Sequence, residues 1–396
     1  MTKSPEKRFI SAISGLPAVE FFSVFVIYFF MLYLLLAFLV AFLFCYLLIK
    51  NAGKAFLDCN EGVQKFHQWN AIRVGGLPII LSLFATSVAF FIGKKDFTSL
   101  HFYFILSTLP VFLGGFLEDL TKKVGPKQRL LGGMVSGLLA YFLLDIHLNR
   151  VDIPGFDWII SNFLLFSVIF TAFALAGVSN AVNIIDGFNG LASGVSIMVF
   201  LAYSYVSYLV GDYFLLYTSL TIVGAMFGFF FWNFPFGYIF LGDGGAYLLG
   251  FLAGLTGVLL VQRHQEVSAW FPFLLLIYPI YETLFSIARR KFLRSHSPFE
   301  ADAIHFHTLI HRRLIKLNLG NKLPDFLLNS LTSPYLWFMQ ILCTIPALLF
   351  WNKTYILMIF SILYILFYNW LYFRIIRFKT PYFMQVPVKT IERFKD

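Results

Sequence analysis

The chain has 396 residues, of which 59% are hydrophobic and only 13% charged, with a formal net charge of +10. So little polar surface cannot solvate a globule of this size, which excludes a water-soluble domain and predicts a single-domain, all-α polytopic integral membrane protein with about 10 to 11 transmembrane helices. The positive balance suits anionic lipid and anionic substrate alike, and no nucleic-acid partner is expected.

Apolar runs of roughly 17 to 25 residues, the length that crosses ~30 Å of hydrocarbon as a helix, mark the spans. The first, 21–48, follows Lys3, Lys7 and Arg8 as a signal peptide would. It is far longer than an h-region and no small-residue cleavage site follows, so it reads as a retained helix. The expected loop 49–76 holds the polar cluster from Gln64 to Gly76, with His67, and with Arg73 beside Gly75 and Gly76. Permissive backbone next to a fixed cation can approach an anion or a lipid head group. Spans 77–93 and 100–117 lead to the loop 118–129, where Glu118 and Asp119 are adjacent. Such a pair binds Mg²⁺ or shares a proton, and the following Lys122, Lys123, Lys127 and Arg129 suit phosphate; a solvated helix end is the plain alternative.

Spans 129–148 and 158–179 precede the loop 180–190, in which Asn180, Asn183 and Asp186 are three apart and share one helix face, with Gly187 and Gly190 letting the chain pass close to a ligand. That pattern suits a nucleotide or a metal, or equally a capped helix end. After spans 191–210 and 212–231, the loop 232–245 ends in LGDGG, whose Asp243 lies between apolar residues. A carboxylate so placed is expensive unless it meets a cation, which makes Asp243 the leading metal ligand; a cap satisfied by the Gly244 and Gly245 amides is the alternative. Spans 246–261 and 268–288 follow, and Glu282 in the latter stands seven residues before Arg289, the spacing of a structural charge pair. The loop 289–333 carries His305, His307, His311, Arg312 and Arg313. Two histidines two apart do not share a helix face, which argues against a helical zinc site and favours contacts to phosphate or to a membrane surface. Spans 334–350 and 354–373 complete the set; Cys45 and Cys343 fall in spans and Cys59 in a loop, with neither disulfide nor zinc spacing.

With eleven spans, 22 of the 30 Lys and Arg residues fall on one side, which the positive-inside tendency makes cytoplasmic. All five polar clusters lie in connections on that face, as they would if they converged on one site.

The order of these clusters resembles the polyprenyl-phosphate N-acetylhexosamine-1-phosphate transferases, a membrane superfamily that includes the muramoyl-pentapeptide translocase and the bacterial enzymes that initiate O-antigen and teichoic acid. The likeness runs from about Gln64 to Arg313. The family's acidic pair and lysine match Glu118, Asp119 and Lys122, and its Asn-x-x-Asn-x-x-Asp-Gly motif matches Asn180, Asn183, Asp186 and Gly187. Its metal aspartate matches Asp243, its His-x-His loop matches His305 and His307, and its His and Arg-x-Gly-Gly segment matches His67, Arg73, Gly75 and Gly76.

The resemblance implies transfer of an N-acetylhexosamine-1-phosphate from a UDP-sugar to polyprenyl (undecaprenyl) phosphate with release of UMP, at the cytoplasmic face of the bacterial inner membrane. It implies Mg²⁺, or Mn²⁺ in its place, on Asp243 and Asp119. Glu118, Asp119, Asp186 and Asp243 would be the catalytic acids, and His67, Arg73, Lys122, Asn180, Asn183, His305 and His307 would hold substrate. A homo-oligomer is left open. The chain departs from the family at Glu118, where an aspartate is usual, and at Asn189, often an acid, which is not counted as catalytic. A polytopic lipid-linked sugar transporter and an inactive family member acting as an assembly partner are the competing readings. A transporter gives no reason for five acidic, amide and imidazole clusters on one face.

Overall fold

In lipid a backbone N–H or C=O has no water to bond, so apolar runs satisfy their own main chain as helices. The computed structural model describes residues 18–51, 71–293, 304–320, 322–379 and 381–384, and among them the only strand-like pairing is a single bridge. The helices are α1 (Ala18–Asn51), α2 (Gly76–Ile92), α3 (Thr98–Ser107), α4 (Leu109–Thr121), α5 (Pro126–Leu144), α6 (Pro154–Asn162), α7 (Leu164–Ile185), α8 (Leu191–Leu209) and α9 (Tyr213–Asn233). They continue as α10 (Gly242–Arg263), α11 (Trp270–Leu275), α12 (Ile277–Leu293), α13 (Phe306–Ile310), α14 (Asp325–Ser330), α15 (Ser333–Leu349) and α16 (Thr354–Ile376).

A helix stands at each of the eleven places where the sequence predicts a span, but not all are single or long. Among the described residues seven helical stretches are long and apolar enough to cross a membrane, or eight if α3 and α4, bent by 42°, form one. The protein is a multi-pass membrane protein. The bend between α3 and α4 falls just before Pro110, which cannot donate to the preceding turn. The predicted span 268–288 is likewise broken, at Leu276 between α11 and α12. Pro279 has no N–H for the Leu275 carbonyl, and the Gln340 side chain donates to that carbonyl instead, at 2.8 Å. Run 158–179 straddles the end of α6, and α7 continues to Ile185, so Asn180 and Asn183 belong to the last turns of a helix and not to a loop.

The centre of the bundle is α10, in which every residue from Gly242 to Val261 is buried. It packs on α7, α4, α2 and α8. Between helices in lipid the attraction is close packing, not expulsion of water, so small residues at the contact matter most. At Gly250 a Cβ would stand 2.7 Å from the Ser179 Cα, and the Ser179 hydroxyl donates to the Tyr247 carbonyl at 2.5 Å. This contact brings the polar end of α7 alongside the first turns of α10.

Candidate active site

Four chain segments meet at the first turn of α10. The stretch before α2 runs beside the stretch before α10: Ile72 and Ile239 form a parallel bridge, and the N–H groups of Gly75 and Gly76 donate to the carbonyls of Phe240 and Leu241 at 2.9 and 3.0 Å. Gly242 then takes φ 74°, the left-handed region that favours glycine, and a Cβ there would press on Asp119 Oδ2 at 2.6 Å. The register of this pairing sets Arg73 next to Asp243.

Asp119, at the end of α4, receives the N–H of Asp243 on Oδ1 and that of Gly244 on Oδ2, each at 2.8 Å, with Arg73 Nε 3.3 Å from Oδ1. It therefore caps α10 from another helix and holds Asp243 in place. Both its oxygens are engaged, and it lies behind the cavity wall. Asp243 itself accepts from Arg73 Nη2 at 2.7 Å and from Asn183 Nδ2 at 3.1 Å on Oδ1, and from Arg129 on Oδ2. Asn180 accepts from the Tyr247 hydroxyl at 2.9 Å, and the Arg129 guanidinium lies 5.4 Å from the centre of the Tyr247 ring. Glu118, half-buried, accepts from the Val124 N–H at 2.7 Å. Lys122 takes a left-handed conformation as the C-cap of α4 and is exposed, outside the cavity lining.

A second group of residues closes the opposite wall. His305 and His307 are buried, with rings stacked 5.2 Å apart. His305 Nδ1 lies 3.0 Å from Glu282 Oε1, which also takes the Phe306 N–H at 3.1 Å, and Tyr368 donates to Glu282 Oε2 at 2.5 Å. The charge pair expected from the spacing of Glu282 and Arg289 does not form. Arg289 reaches the Ile304 carbonyl and the Tyr372 hydroxyl, because the returning chain at 304–307 inserts its own donors at Glu282. His307 faces Gly187, whose Cβ position is 3.0 Å from its Nε2. Phe188 packs its ring 4.9 Å from His311, whose imidazole is pushed down to about 4 by burial, with Lys316 and Arg312 adding to the shift. His311 is therefore neutral at physiological pH. Asp186, just beyond α7, is pushed up to about 7 by burial, with the nearby Arg73 opposing and Asp119 reinforcing the shift.

Asn189 has a structural task. Its N–H donates to Asn329 Oδ1 at 2.8 Å, its amide to Ser330 Oγ at 3.2 Å and to the Pro235 carbonyl at 3.4 Å, and its carbonyl accepts from Ser333 at 2.6 Å. An acid at this position would have no proton for the Pro235 carbonyl, which explains the amide.

One cavity of about 1430 Å³ joins these walls. Its polar end is lined by Arg73, Glu118, Arg129, Asn180, Asn183, Asp186, Asp243, Arg290, His305 and His307. From there it follows α10 from Asp243 to Val261, a rise of about 27 Å, between apolar walls that include Phe170, Phe173, Val178, Val258, Phe273 and Leu284. The structure thus brings Glu118, Asp186, Asp243, Arg73, Asn180, Asn183, His305 and His307 to one cavity. His67 lies outside the described residues. Motif reading did not single out Tyr247 or Arg290; it took Glu282 only as a charge partner for Arg289, and Arg129 only as one of several cations suited to phosphate. Tyr247 carries no local signal beyond a polar group in an apolar run, and Arg290 and Arg129 are each one of several cations in a basic stretch.

A hard dication takes oxygen ligands, and Asp243, Glu118 and Asp186, with the side-chain amides of Asn180 and Asn183, are oxygen-bearing side chains among those that line this end of the cavity. Among the described residues no three acidic, imidazole or thiol side chains converge as a closed set. The arrangement fits magnesium, which keeps water and substrate phosphates in its shell and needs only one or two carboxylates. The first N–H groups of α10, with the partial positive charge of that helix end, are taken by the Asp119 carboxylate, which leaves the arginines and histidines as the anion-binding groups of the cavity.

The model of glycosyl transferase family 4 matches residues 101–261. The chain is 30% identical over 216 residues to a phospho-N-acetylmuramoyl-pentapeptide-transferase of Lactobacillus gasseri and 31% identical over 216 residues to that of Lactobacillus johnsonii, in each case covering 52% of this chain and 66% of the relative. A Streptococcus pneumoniae protein of the same name is 28% identical over 245 residues, which is 59% of this chain and 72% of the relative. The match to the two lactobacillar proteins thus falls just short of two thirds of their length.

Proposed function

Because the chain belongs to glycosyl transferase family 4, within the polyprenyl-phosphate N-acetylhexosamine-1-phosphate transferase superfamily, we propose that it transfers a phospho-sugar from a UDP-N-acetylhexosamine to polyprenyl phosphate. The product would be a polyprenyl-diphospho-sugar, the first lipid-linked intermediate of a cell-envelope polysaccharide such as O-antigen, with UMP released at the cytoplasmic face of a bacterial inner membrane. The observation that carries this reading is the single cavity that couples a cluster of acids, amides and cations to an apolar groove about as long as the α10 helix. A polar head and a long hydrocarbon tail need both compartments in continuity.

The reaction is a displacement at phosphorus. An oxygen of the lipid phosphate attacks the sugar-bearing phosphorus of the donor, a P–O bond forms, and the P–O bond to UMP breaks. Magnesium held by Asp243 would neutralise the donor's diphosphate. Glu118, which lines the cavity, is the acid available to the acceptor phosphate. Asp119 acts behind it, holding Asp243 and Arg73 in register. Arg73, Arg129, His305 and His307 supply donors for phosphoryl oxygens as charge shifts to the leaving group. Asn180, Asn183 and Asp186 face the cavity where sugar or nucleotide would lie.

The test is UMP release by purified protein in detergent with undecaprenyl phosphate, Mg²⁺ and a panel of UDP-sugars that includes the muramoyl-pentapeptide donor, beside Asp243→Ala. Mg²⁺-dependent UMP with one donor, absent in the variant, is the expected result and names the sugar. Well-folded protein that releases no UMP with any donor would return the choice to a transporter or an inactive relative.

A further inference from the structure

Asp243 is doubly paired. Arg73 donates to its Oδ1 at 2.7 Å while Arg129 donates to Oδ2, so one carboxylate carries two guanidinium groups, and Asn183 adds an amide at 3.1 Å. Arg73 has a second carboxylate, Asp119, at 3.3 Å. Arg129 is held less completely: its side chain is only 13% exposed, yet its Nε finds no hydrogen-bond partner among the described residues. A guanidinium has five N–H donors in a fixed fork, so Nε of Arg129 remains available to a further acceptor. Arg129 lines the cavity beside Glu118, within reach of an anion entering there.

We propose that Arg129, with Arg73, is a stand-in counter-ion for Asp243 that moves to the donor's diphosphate when a divalent cation takes the carboxylate, so that cation and diphosphate bind cooperatively. The inference rests on the phosphotransfer reading above and concerns what this chain's own arginines do. Charge decides it. The directly paired groups Arg73, Arg129, Asp119 and Asp243 sum to zero, so adding a dication alone leaves +2 among these four partly buried side chains, with Arg129 displaced from Asp243 and Arg73 drawn back onto Asp119. A diphosphate arriving with the cation restores neutrality and gives the arginines bidentate oxygen partners. The cation alone therefore binds weakly and the pair binds well. By linkage the cation raises diphosphate affinity by the factor that diphosphate raises cation affinity.

The sign of the test is unusual, since removing a cation from the site must strengthen metal binding. Mn²⁺ serves as the probe, read by electron paramagnetic resonance, with UDP as the diphosphate. Arg129→Gln should bind Mn²⁺ alone at least about tenfold more tightly than the native protein, the scale of one nearby unit charge acting on a dication through a near-aqueous dielectric, while UDP improves Mn²⁺ affinity less than it does in the native protein. Arg129→Lys, which keeps the charge, should leave Mn²⁺ affinity as in the native protein. Should Arg129→Gln not fold, Arg73→Gln carries the same expectation for Mn²⁺ alone. Folded Gln variants that bind Mn²⁺ no tighter than native protein would overturn the counter-ion exchange even with UMP release intact. Native protein that binds neither Mn²⁺ nor UDP and releases no UMP would overturn the phosphotransfer reading, and the exchange with it.

Discussion

Glu282→Gln probes the wall opposite Asp243. Glu282 is 1% exposed, and its two oxygens collect four donors: His305 Nδ1 at 3.0 Å, the Phe306 N–H at 3.1 Å, the Ser286 hydroxyl at 3.4 Å and the Tyr368 hydroxyl at 2.5 Å. A carboxylate only accepts, so Nδ1 of His305 carries a proton toward it and the other ring nitrogen is left to serve the cavity that His305 lines. Glutamine keeps the shape and the Oε1 acceptor but replaces charge-assisted bonds by neutral ones and forces the Tyr368 hydroxyl to turn and accept. The difference between a charge-assisted and a neutral bond is about 1–2 kcal/mol. If His305 meets a phosphoryl oxygen in the transition state, that loss lowers kcat/KM by about 5- to 30-fold, with a much smaller change in melting temperature than in Glu282→Ala. The alanine variant removes the acceptor shared by four buried donors and should lose about 3–5 kcal/mol of stability. UMP release at saturating acceptor, with thermal unfolding in the same detergent, reads both quantities. A Gln variant with native kcat/KM, together with an alanine variant that melts as the native protein does, would refute the positioning role.

Three further outcomes are expected. Gly177 faces the apolar groove and a Cβ there meets nothing within 4 Å, so Gly177→Leu should fold normally yet raise KM for long-chain polyprenyl phosphate several-fold more than for a short-chain analogue; equal effects on both acceptors would count against a lipid groove. Asp186 is protonated below about 7 and ionised above it, so transfer should climb as pH rises through that value, shift to lower pH as Mg²⁺ concentration increases, and lose this limb in Asp186→Asn; a pH profile identical in native and variant protein would exclude the carboxylate from the rate. Asn189→Asp removes the amide donor shared by Ser330 and the Pro235 carbonyl, and its buried charge should lower stability by about 1–3 kcal/mol in a thermal melt, whereas an unchanged melt would make the amide incidental.

The match between sequence and site is uneven for physical reasons. Asp243 is legible because a carboxylate flanked by glycines in an apolar run is too costly to be idle, and Asn180, Asn183 and Asp186 are legible because a three-residue spacing puts them on one helix face. Helix ends near such groups are less so. Hydropathy cannot place the end of α7, since Asn180 and Asn183 look like loop residues until Tyr247 and Asp243 supply their partners across the bundle. The break between α11 and α12 was hidden for a similar reason, because the carbonyl that Pro279 leaves unpaired is satisfied by Gln340, sixty-odd residues away. Spacing along one helix suggested Arg289 for Glu282; the partner came instead from a returning segment with better donors.

By itself the sequence determined that this chain crosses a membrane many times and which acids, amides and imidazoles interrupt its apolar runs. These properties belong to composition and local order, which no packing can change. Only the tertiary structure decided that Asp119 caps α10 while Asp243 faces the cavity, that two arginines share one carboxylate, and that the polar cluster opens into an apolar groove. Each of these depends on which helices meet and at what distance, and that is set by close contacts such as Gly250 against Ser179, whose consequence is spatial and leaves no periodic mark in the chain.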